Sequence, residues 1–381
     1  MSALLVSATR VSADLITDEA ALLALGPAWD ALEARAQAGG APGQLYVSHR
    51  YVRLAWQHLR QPGDELFVLT LGDAGHLQAV WPLVLRRSRQ AKMEVRQLGP
   101  IGIWEGERPH VLCEGDADTA WAGLWSALAG LRSRWHVLTL PELDAGSWPL
   151  RQLAVRPGVA GGFQVRAQAD TAAPWQPLGG DAVAWRVRRP AALRQAREHV
   201  QHALKRRLPD LSTEVLNTGA DMPAALDRFL AIEARLAASP LADAHYRISS
   251  KPERVAFYRA FLPLLAARGE AELRLMRGGG QDVAALIRLR CGGVWLERHA
   301  VAAPDVVDLA PAQELLLQTL AEAMRDGATQ ESDLLWPPDA SGRVEALTPW
   351  LDGVRPTERL TIWNLRSRMA LRALAGWLLR R

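Results

Sequence analysis

The fold of this chain is indicated by a stretch that occurs twice, AWDALEARAQ at 28–37 and ALDRFLAIEARLAAS at 225–239. In both copies the apolar residues recur at the spacing of a helix with one buried face. Both copies also contain Glu-Ala-Arg, and their glutamates, Glu33 and Glu233, stand 200 residues apart. This repetition predicts two related domains, each of which begins with the same kind of helix.

The segments after these helices come in the same order in both halves. A second, aromatic-bearing helix is followed by a strand, a glycine-containing turn and another strand, which is the pattern of a β-hairpin. A further extended segment, a helix and a last strand complete each half. These segments are 48–59, 65–71, 77–85, 109–113, 119–131 and 135–140 in the first half, and 250–267, 272–277, 283–290, 294–301, 311–325 and 332–336 in the second. A repeat of about 200 residues indicates duplicated domains, because solenoid repeats are much shorter.

The domain organisation predicted from the sequence has four parts. Residues 1–150 and 211–365 form the two halves. Residues 151–210 form a linker that is rich in Gly, Pro and Trp and that ends in a basic helix at 191–208. Residues 366–381 alternate Arg with Leu, Met and Trp, which is typical of a basic amphipathic helix in contact with an anionic membrane surface.

The composition is that of a globular protein, with 49% hydrophobic and 23% charged residues among 381. A net charge of +4 is small for this length and argues against a dedicated nucleic-acid binder. The only two cysteines, Cys113 and Cys291, are far apart in sequence, so neither a disulfide framework nor a zinc site is indicated. The sequence shows no signal peptide and no apolar run long enough to span a membrane, which predicts a cytoplasmic protein.

Motifs of several common enzyme classes are missing from the sequence. It contains no phosphate-binding loop of NTPases, no Gly-x-Gly-x-x-Gly that opens a helix after a strand, no His-Glu-x-x-His and no Gly-x-Ser-x-Gly. These absences argue against nucleotide hydrolysis, dinucleotide binding and serine hydrolysis. His199 and His202 lie one turn apart in a basic helix, where a solvated face is a more common outcome than a metal site, so no metal is predicted.

The order of elements resembles that of bacterial GNAT-type acetyltransferases associated with cellulose and exopolysaccharide biosynthesis. The residues that carry the resemblance are Trp81-Pro82-Leu83, Gly99-Pro100, Phe257-Tyr258 and Asp308-Leu309-Ala310-Pro311, and it covers 45–363. That family is similar to the Fem-type peptidyltransferases, which also carry tandem GNAT folds. The resemblance implies an α+β protein with two GNAT-like folds in tandem, each a mixed sheet flanked by helices, that uses acetyl-CoA or another acyl-CoA as co-substrate.

Two positions depart from the pattern of that family. Members often have Ser-Pro-Gly before the second-half helix, where this chain has Ala310-Pro311-Ala312, and a Lys before the Trp near the end, where only Arg343 precedes Trp350. These departures leave open a non-catalytic function, in which the chain is a binding or scaffold protein that kept the fold and lost the chemistry.

The resemblance places the pyrophosphate of coenzyme A where a strand leads into a helix, because a helix start presents unpaired N–H groups and a positive dipole end. The second-half helix begins at Pro311, which makes the N–H groups of Ala312, Gln313 and Glu314 the predicted donors. The carboxylate of Glu314 is expected to compete with phosphate there. The first-half helix begins near Asp116, Asp118 and Thr119 and is more negative, which favours the second half as the donor site. The alternative is that both starts are simply capped helices.

The predicted general base is Glu297 or His299, which stand two residues apart on one strand and so share a face. A histidine is the side chain that is ordinarily suited to this role, whereas a glutamate such as Glu297 has to be desolvated to become a useful base. The alternative is that Glu297 and Arg298 belong to an ion-pair network on the surface. Asp308 is expected to cap the next helix or to orient an acceptor amine, and Asp333 is placed towards the same cleft. His110 is a weaker candidate in the first half.

Three functions follow from these observations. The first is acyl transfer from acyl-CoA to an amine or hydroxyl of a small molecule, a saccharide or an envelope precursor, with the basic tail near anionic lipid. The second is aminoacyl transfer from aminoacyl-tRNA, with 186–207 as the RNA-contacting surface. The third is the non-catalytic binding protein.

Overall fold

The computed structural model divides the chain into two compact units, each built on its own sheet. Unit 1 contains residues 1–56, 60–169 and 358–381, and unit 2 contains 57–59 and 170–357. Each unit is a mixed sheet flanked by helices, which confirms the predicted α+β class and its two mixed sheets. The residues described by the structure are 12–39, 44–73, 75–90, 93–102, 111–155, 161–170, 172–239, 247–334 and 347–367.

Unit 1 is built from eight strands and four helices in its described part. Its elements in chain order are β1 (Ala13–Ile16), α1 (Glu19–Ala24), α2 (Gly26–Ala38), α3 (His49–Leu59), β2 (Glu65–Asp73), β3 (His76–Gln90), β4 (Met93–Pro100), β5 (Leu112–Cys113), α4 (Ala117–Gly130), β6 (Val137–Asp144), β7 (Phe163–Ala169) and, from the far end of the chain, β15 (Thr357–Asn364). The strand order in the sheet is β1-β2-β3-β4-β6-β15-β7, and β5 pairs with β3.

Unit 2 is built from seven strands and five helices in its described part. Its elements are β8 (Ala173–Pro177), α5 (Ala182–Val187), α6 (Ala191–Arg207), β9 (Ser212–Leu216), α7 (Met222–Ala237), α8 (Pro252–Ala266), β10 (Ala271–Gly278), β11 (Gln281–Cys291), β12 (Val294–Ala302), α9 (Pro311–Asp326), β13 (Glu331–Leu334) and β14 (Gly353–Arg355). The strand order is β9-β10-β11-β12-β13-β8-β14. A 3₁₀-helix at 304–309 connects β12 to α9.

The two sheets correspond strand by strand, and the sixth place in each is filled by an exchanged strand. β8 follows the first half in sequence but pairs in the sheet of unit 2, whereas β15 follows the second half but pairs in the sheet of unit 1. The boundaries of the units therefore differ from the predicted ones. The segment 151–210, predicted as a linker, supplies β7 to unit 1 and β8, α5 and α6 to unit 2, and residues 358–364 belong to unit 1.

The arginine of the repeated Glu-Ala-Arg has the same structural role in both units. Arg35 Nη2 donates to Leu77 O at 2.6 Å, and Arg235 Nη2 donates to Asp282 O. Leu77 and Asp282 are each the second residue of the strand that follows the first hairpin turn. The arginine thus ties the first long helix of each unit to the equivalent point of its hairpin, and this contact aligns the two units residue by residue.

The sheet of unit 2 is covered by helices on both faces. Residues that are adjacent on a strand point to opposite faces, so Ile287 and Arg288 of β11 mark the two sides. α7 and α8 pack on the side of Ile287, and α9 packs on the side of Arg288. In unit 1, α4 packs on a core that is rich in tryptophan, with Trp81, Trp121, Trp125 and Trp135 among its buried residues.

Candidate functional site

The parallel strands β12 and β13 of unit 2 lie side by side in the sheet. They pair from Val294 opposite Glu331 to Glu297 opposite Leu334, where the described part of β13 ends, and β12 continues to Ala302. The part of β12 beyond this described pairing, at 298–302, is called the notch below.

A β-bulge lies at the same point of β12. In the pairing with β11, His299 is opposite Ile287 and Glu297 is opposite Arg288, so that Arg298 is an extra residue. A bulge shifts the alternation of side chains by one position. Glu297 and His299 therefore lie on opposite faces of the sheet, and the prediction that they share a face is wrong. His299 faces α7 and α8, whereas Glu297 is on the side of α9.

His299 belongs to a hydrogen-bonded chain with two other side chains. Its Nε2 lies 2.8 Å from the hydroxyl of Tyr258 on α8, and Arg298 Nε donates to the same hydroxyl oxygen at 3.3 Å. Tyr258 and Arg298 are buried and His299 is half-buried. The ring of Phe229 on α7 lies 6.5 Å from the His299 ring. This arrangement can hold an imidazole in one orientation at the notch and link it to a buried hydroxyl.

Tyr258 and Arg298 were not predicted as site residues. Tyr258 is 41 residues from His299 in sequence, and the only signal was its place in the Phe257-Tyr258 pair of the helix. Arg298 was expected only as a member of an ion-pair network. Its Nε donates to the hydroxyl of Tyr258, and a pattern of alternation does not reveal the bulge at this position.

Glu297 is fully buried and is held by charged and polar partners. Its Oε1 accepts hydrogen bonds from Arg288 Nη2 at 2.8 Å and from Ser332 Oγ at 2.7 Å. Arg288 also contacts Glu272 Oε1 at 3.2 Å and lies 4.0 Å over the ring of Trp295. The alternative predicted from the sequence was a surface network of Glu297 and Arg298, whereas the ion pair found here is buried and joins Glu297 to Arg288. A carboxylate with 0% exposure in an ion pair is poorly placed to act as a base on a substrate.

The network continues across the sheet to helix α9. Arg274 on β10 donates to Glu272, and it also donates to Glu322 on α9. Burial alone disfavours the charged form of Arg274, but the adjacent carboxylates outweigh this effect and raise the pKa of its guanidinium. This network of ion pairs and hydrogen bonds therefore links α9 to β10, β11, β12 and β13.

The start of α9 has an unusual backbone. Ala310, the residue before the helix, has φ 45° and ψ 48°, which is the left-handed region, and Pro311 occupies the first helical position. Among the described residues, no side chain caps this start. The N–H of Glu314 donates to Ala310 O at 3.1 Å, so Glu314 is wrong as a backbone donor to a ligand. Ala312 and Gln313 are half-buried and remain the candidates.

The side chain of Glu314 is directed away from the helix start. Its carboxylate accepts from Arg197 Nε at 2.8 Å and Arg197 Nη2 at 3.0 Å, and from Gln201 Nε2 at 2.8 Å. Arg197 and Gln201 are on α6, so this contact fixes α6 against the first turn of α9. The predicted competition of Glu314 with phosphate does not fit this geometry, because the negative charge is paired and buried.

The corresponding helix start in unit 1 is already occupied. The carboxylate of Asp116 accepts the N–H groups of Asp118 at 3.3 Å and Thr119 at 3.1 Å, and also the Thr119 hydroxyl at 2.5 Å. The bond from the Thr119 hydroxyl is the main reason why the pKa of Asp116 lies below its usual range. Asp118 pairs with Arg151 at 2.6 Å. The first turn of α4 is therefore a capped start with its own anion.

The remaining predicted residues lie apart from the notch or outside the described chain. Asp308 is exposed and pairs with Arg207 at 3.1 Å, so its predicted role as the cap of α9 is wrong. Asp333 is buried on β13 and lies 3.4 Å from Arg355, which also holds Glu331. The remaining predictions, His110, Arg343 and a helix over 366–381, lie outside the described residues apart from 366 and 367.

Two further findings concern the described ranges only. No group of three or more His, Cys, Asp and Glu side chains in these ranges is placed to hold a metal ion. No helix within them is both long and apolar enough to cross a membrane.

Comparisons with known proteins agree with this geometry. Residues 184–340, from α5 to beyond β13, match the family model of the Acetyltransferase (GNAT) domain. The chain is similar in structure to FemX, with a TM-score of 0.56, 10% identity and coverage of 96% of this chain and 100% of that one. The C-terminal domain of a putative lysylphosphatidylglycerol synthetase from Agrobacterium fabrum has a TM-score of 0.53 and 11% identity, with coverage of 94% of this chain and 96% of that one. L-PGS from Bacillus licheniformis has a TM-score of 0.50 and 10% identity, with coverage of 92% and 97% respectively. No curated protein sequence matches. At these identities the structures show a shared fold, and together with the domain match they support an acyltransferase.

Proposed function

Because residues 184–340 match a GNAT acetyltransferase domain, we propose that the protein transfers an acyl group from an acyl-CoA, such as acetyl-CoA, and that unit 2 binds this donor. One observation supports the choice of unit most strongly. The helix after β12 starts without a side-chain cap in the described chain, whereas the equivalent helix in unit 1 is capped by Asp116.

The start of α9 suits a pyrophosphate for two physical reasons. The N–H groups of a first helical turn and the positive end of the helix dipole both attract anions. Pro311 has no N–H of its own but fixes the first helical φ, so the ligand would be held by the N–H groups of Ala312 and Gln313. The pairing of Glu314 with Arg197 removes the one carboxylate in the first turn that would repel it.

The notch next to this helix contains the groups that an acyl transfer requires. An acceptor amine attacks the thioester carbon, loses one proton, and the sulfur of CoA leaves and takes one proton. We assign the movement of this proton to His299, with Tyr258 and Arg298 holding its ring. A hydroxyl within 2.8 Å of the ring nitrogen gives the ring a partner for proton exchange.

The acceptor is proposed only by class. An amine or hydroxyl of a small molecule or of a saccharide precursor fits acyl transfer, and the link to cellulose or exopolysaccharide biosynthesis rests on the sequence resemblance. Asp333 and Glu331 lie on β13 and share Arg355 as a partner.

Aminoacyl transfer is the second candidate, because α5 and α6 present a basic surface. Arg186, Arg188, Lys205 and Arg206 are exposed on these helices. FemX and the lysylphosphatidylglycerol synthetases share the fold, and aminoacyl transfer is the activity that the Fem-type resemblance implies. An RNA-binding surface of this kind would show a steep dependence of affinity on salt.

The proposal is tested by titration calorimetry of the purified protein with acetyl-CoA and with octanoyl-CoA. The variant Gln313→Pro removes one backbone N–H at the start of α9, and Gln313→Ala is its control because it removes the side chain and keeps the N–H. We expect the wild type to bind and Gln313→Ala to bind with an affinity within about threefold of it. The affinity of Gln313→Pro should be about tenfold lower. A hydrogen bond to a charged group contributes about 1.5–3 kcal/mol, and about 1.4 kcal/mol already corresponds to a tenfold change in affinity.

Circular dichroism checks that Gln313→Pro is folded. A wild-type protein that binds neither thioester would overturn the acyl-CoA proposal. Binding of a deacylated or charged tRNA in the same buffer would then favour aminoacyl transfer. Equal affinities of the Pro and Ala variants would place the pyrophosphate away from α9.

A further inference from the structure

Unit 2 carries charged side chains at positions where unit 1 carries hydrocarbon. When Leu77 and Asp282 are aligned through their common contact with the helix arginine, Leu83 of β3 corresponds to Arg288 of β11. Both side chains are buried, with 0% and 1% exposure. The same sheet position is thus apolar in one unit and charged in the other.

The partners of these two residues differ in the same way. Leu83 lies opposite Phe67 on β2, whereas Arg288 lies opposite Glu272 on β10. Burying an ion pair costs desolvation energy, and apolar residues of similar volume often give equal or greater stability. Because unit 1 builds the same sheet from Phe67 and Leu83, the fold does not require the charged network of unit 2. A different role has to account for it.

The position of Glu297 indicates that role. It pairs with Leu334 of β13 and directly precedes the extra residue of the bulge. Arg288 on one neighbouring strand and Ser332 on the other both donate to its Oε1. β12 is therefore held from both sides at the point where its alternation changes.

In unit 1 the residue that corresponds to Glu297 is Pro100, which lies opposite Leu83 of β3. Unit 1 therefore has neither the carboxylate nor the guanidinium at these two positions. We infer that Glu297, held by Arg288 and Ser332, is a positioning residue that fixes the bulge and so turns His299 towards Tyr258. The role of His299 in proton transfer rests on the proposed function, whereas the position of its ring next to Tyr258 does not.

The main test replaces both charges at once. The double variant Arg288→Leu/Glu297→Leu removes both charges of this ion pair, so neither one stays buried without its partner. The protein is therefore expected to fold with a melting temperature equal to or above that of the wild type. Protein labelled with ¹⁵N-histidine reports the ring of His299, whose signals are assigned by their loss in His299→Asn. We expect the His299 ring signals to shift in the double variant, because the bulge relaxes and the contact with Tyr258 is lost.

Two single variants keep the test decisive if the double variant does not fold. Glu297→Gln keeps an oxygen acceptor for Arg288 and Ser332 and is expected to retain the wild-type His299 signals. Ser332→Ala removes one bond, and we expect amide hydrogen exchange at the β12–β13 pairs to become about tenfold faster. The matched control is Ser88→Ala, which removes the 2.9 Å bond to Gln97 between β3 and β4 of unit 1 and should leave His299 unchanged.

The results separate this inference from the proposed function. Unchanged His299 signals in a folded double variant would overturn the positioning role, and so would a large fall in its melting temperature, which would make the network a stability device. If the double variant does not fold, unchanged exchange rates in Ser332→Ala would overturn it as well. A wild-type protein that binds no acyl-CoA would overturn the proposed donor, while the spectra would still decide whether Glu297 positions His299.

Discussion

The starts of helices α4 and α9 occupy equivalent places in the two units and are built in opposite ways. Asp116 places a carboxylate on the first N–H groups of α4. α9 begins with Ala310 in a left-handed conformation, then Pro311, and has no side-chain cap among the described residues. A helix start binds one anion well, so a built-in carboxylate excludes a ligand phosphate. The comparison supports the proposal that the two units share a topology but that only unit 2 offers an anion site.

The same contrast extends to the strand beside each helix. Pro100 of β4 lies opposite Leu83, whereas its counterpart Glu297 of β12 pairs with buried Arg288 and stands next to a bulge. Bulges are enriched beside functional sites because they redirect a side chain without changing the topology. Both differences support the proposal that unit 2 is the chemical unit.

The largest effect is expected for Tyr258→Phe, which removes the hydroxyl shared by Arg298 and His299 and keeps the packed ring. Turnover should fall about 100-fold with little change in KM, because general acid–base groups contribute factors of this size. It is measured as release of free CoA thiol with the fastest acceptor found in an amine screen. Tyr51→Phe is the control in unit 1, since it removes a hydroxyl that donates to Gly102 O at 3.3 Å. An equal loss of turnover in both variants would contradict the assignment to unit 2.

The next largest effect is expected when the cap of unit 1 is copied into unit 2. Ala310→Asp places a carboxylate at the start of α9, and Asp tolerates a left-handed conformation better than most residues. Its affinity for acetyl-CoA should fall about tenfold through competition with the phosphates. The reverse change, Asp116→Ala, should lower the melting temperature and leave that affinity as it is. Calorimetry that finds Ala310→Asp equal to the wild type would place the phosphates elsewhere.

A smaller effect is expected from the backbone of Ala310 itself. A non-glycine residue in the left-handed region costs about 1–2 kcal/mol, and Gly adopts it freely at an entropic cost in the unfolded chain. Ala310→Gly should therefore raise the free energy of unfolding by about 1 kcal/mol in urea titrations. Ala312→Gly, two residues later in the helical turn, should lower it by about the same amount. Destabilisation by Ala310→Gly would show that the αL conformation is not strained here.

The smallest effect concerns pH. Hydrogen bonds from the hydroxyl and N–H of Thr119 and from the N–H of Asp118 hold the pKa of Asp116 below its usual value. A folded-state pKa below the unfolded value of about 3.9 means that the stabilisation is fully present above that value and is lost as the pH falls through the folded pKa. The gap in melting temperature between the wild type and Asp116→Ala should thus be constant from pH 7 to 5 and shrink below about pH 4. A gap that is the same at pH 3 and pH 7 would contradict the cap.

Local patterns in the sequence were sufficient to predict much of the fold. Apolar spacing placed the helices that became α2, α7 and α9, and glycine-containing turns placed the hairpins of both units. The repeated Glu-Ala-Arg was a true marker of equivalent positions, because its arginine makes the same contact in both units. The exchange of β8 and β15 was not predictable in this way, since strand partners far apart in sequence leave no local pattern.

The candidate site was predicted in part for a related reason. The start of α9 follows from the sequence, because Pro at the first helical position is a local signal. The placement of Glu297 and His299 on one face failed because a single extra residue, Arg298, reverses the alternation. Tyr258 contacts His299 only through the tertiary packing of α8 on β12, so no spacing rule brings the two together.

The exchanged sixth strands also decide when the protein can fold during synthesis. β6 and β7 of unit 1 flank β15, whose residues leave the ribosome after nearly all of unit 2. The sheet of unit 1 therefore lacks its sixth strand until the second half has been synthesised. Long-range pairings of this kind slow folding and expose unpaired strand edges to aggregation. Truncation before residue 357 should consequently damage the N-terminal unit, although every deleted residue is at the opposite end of the chain.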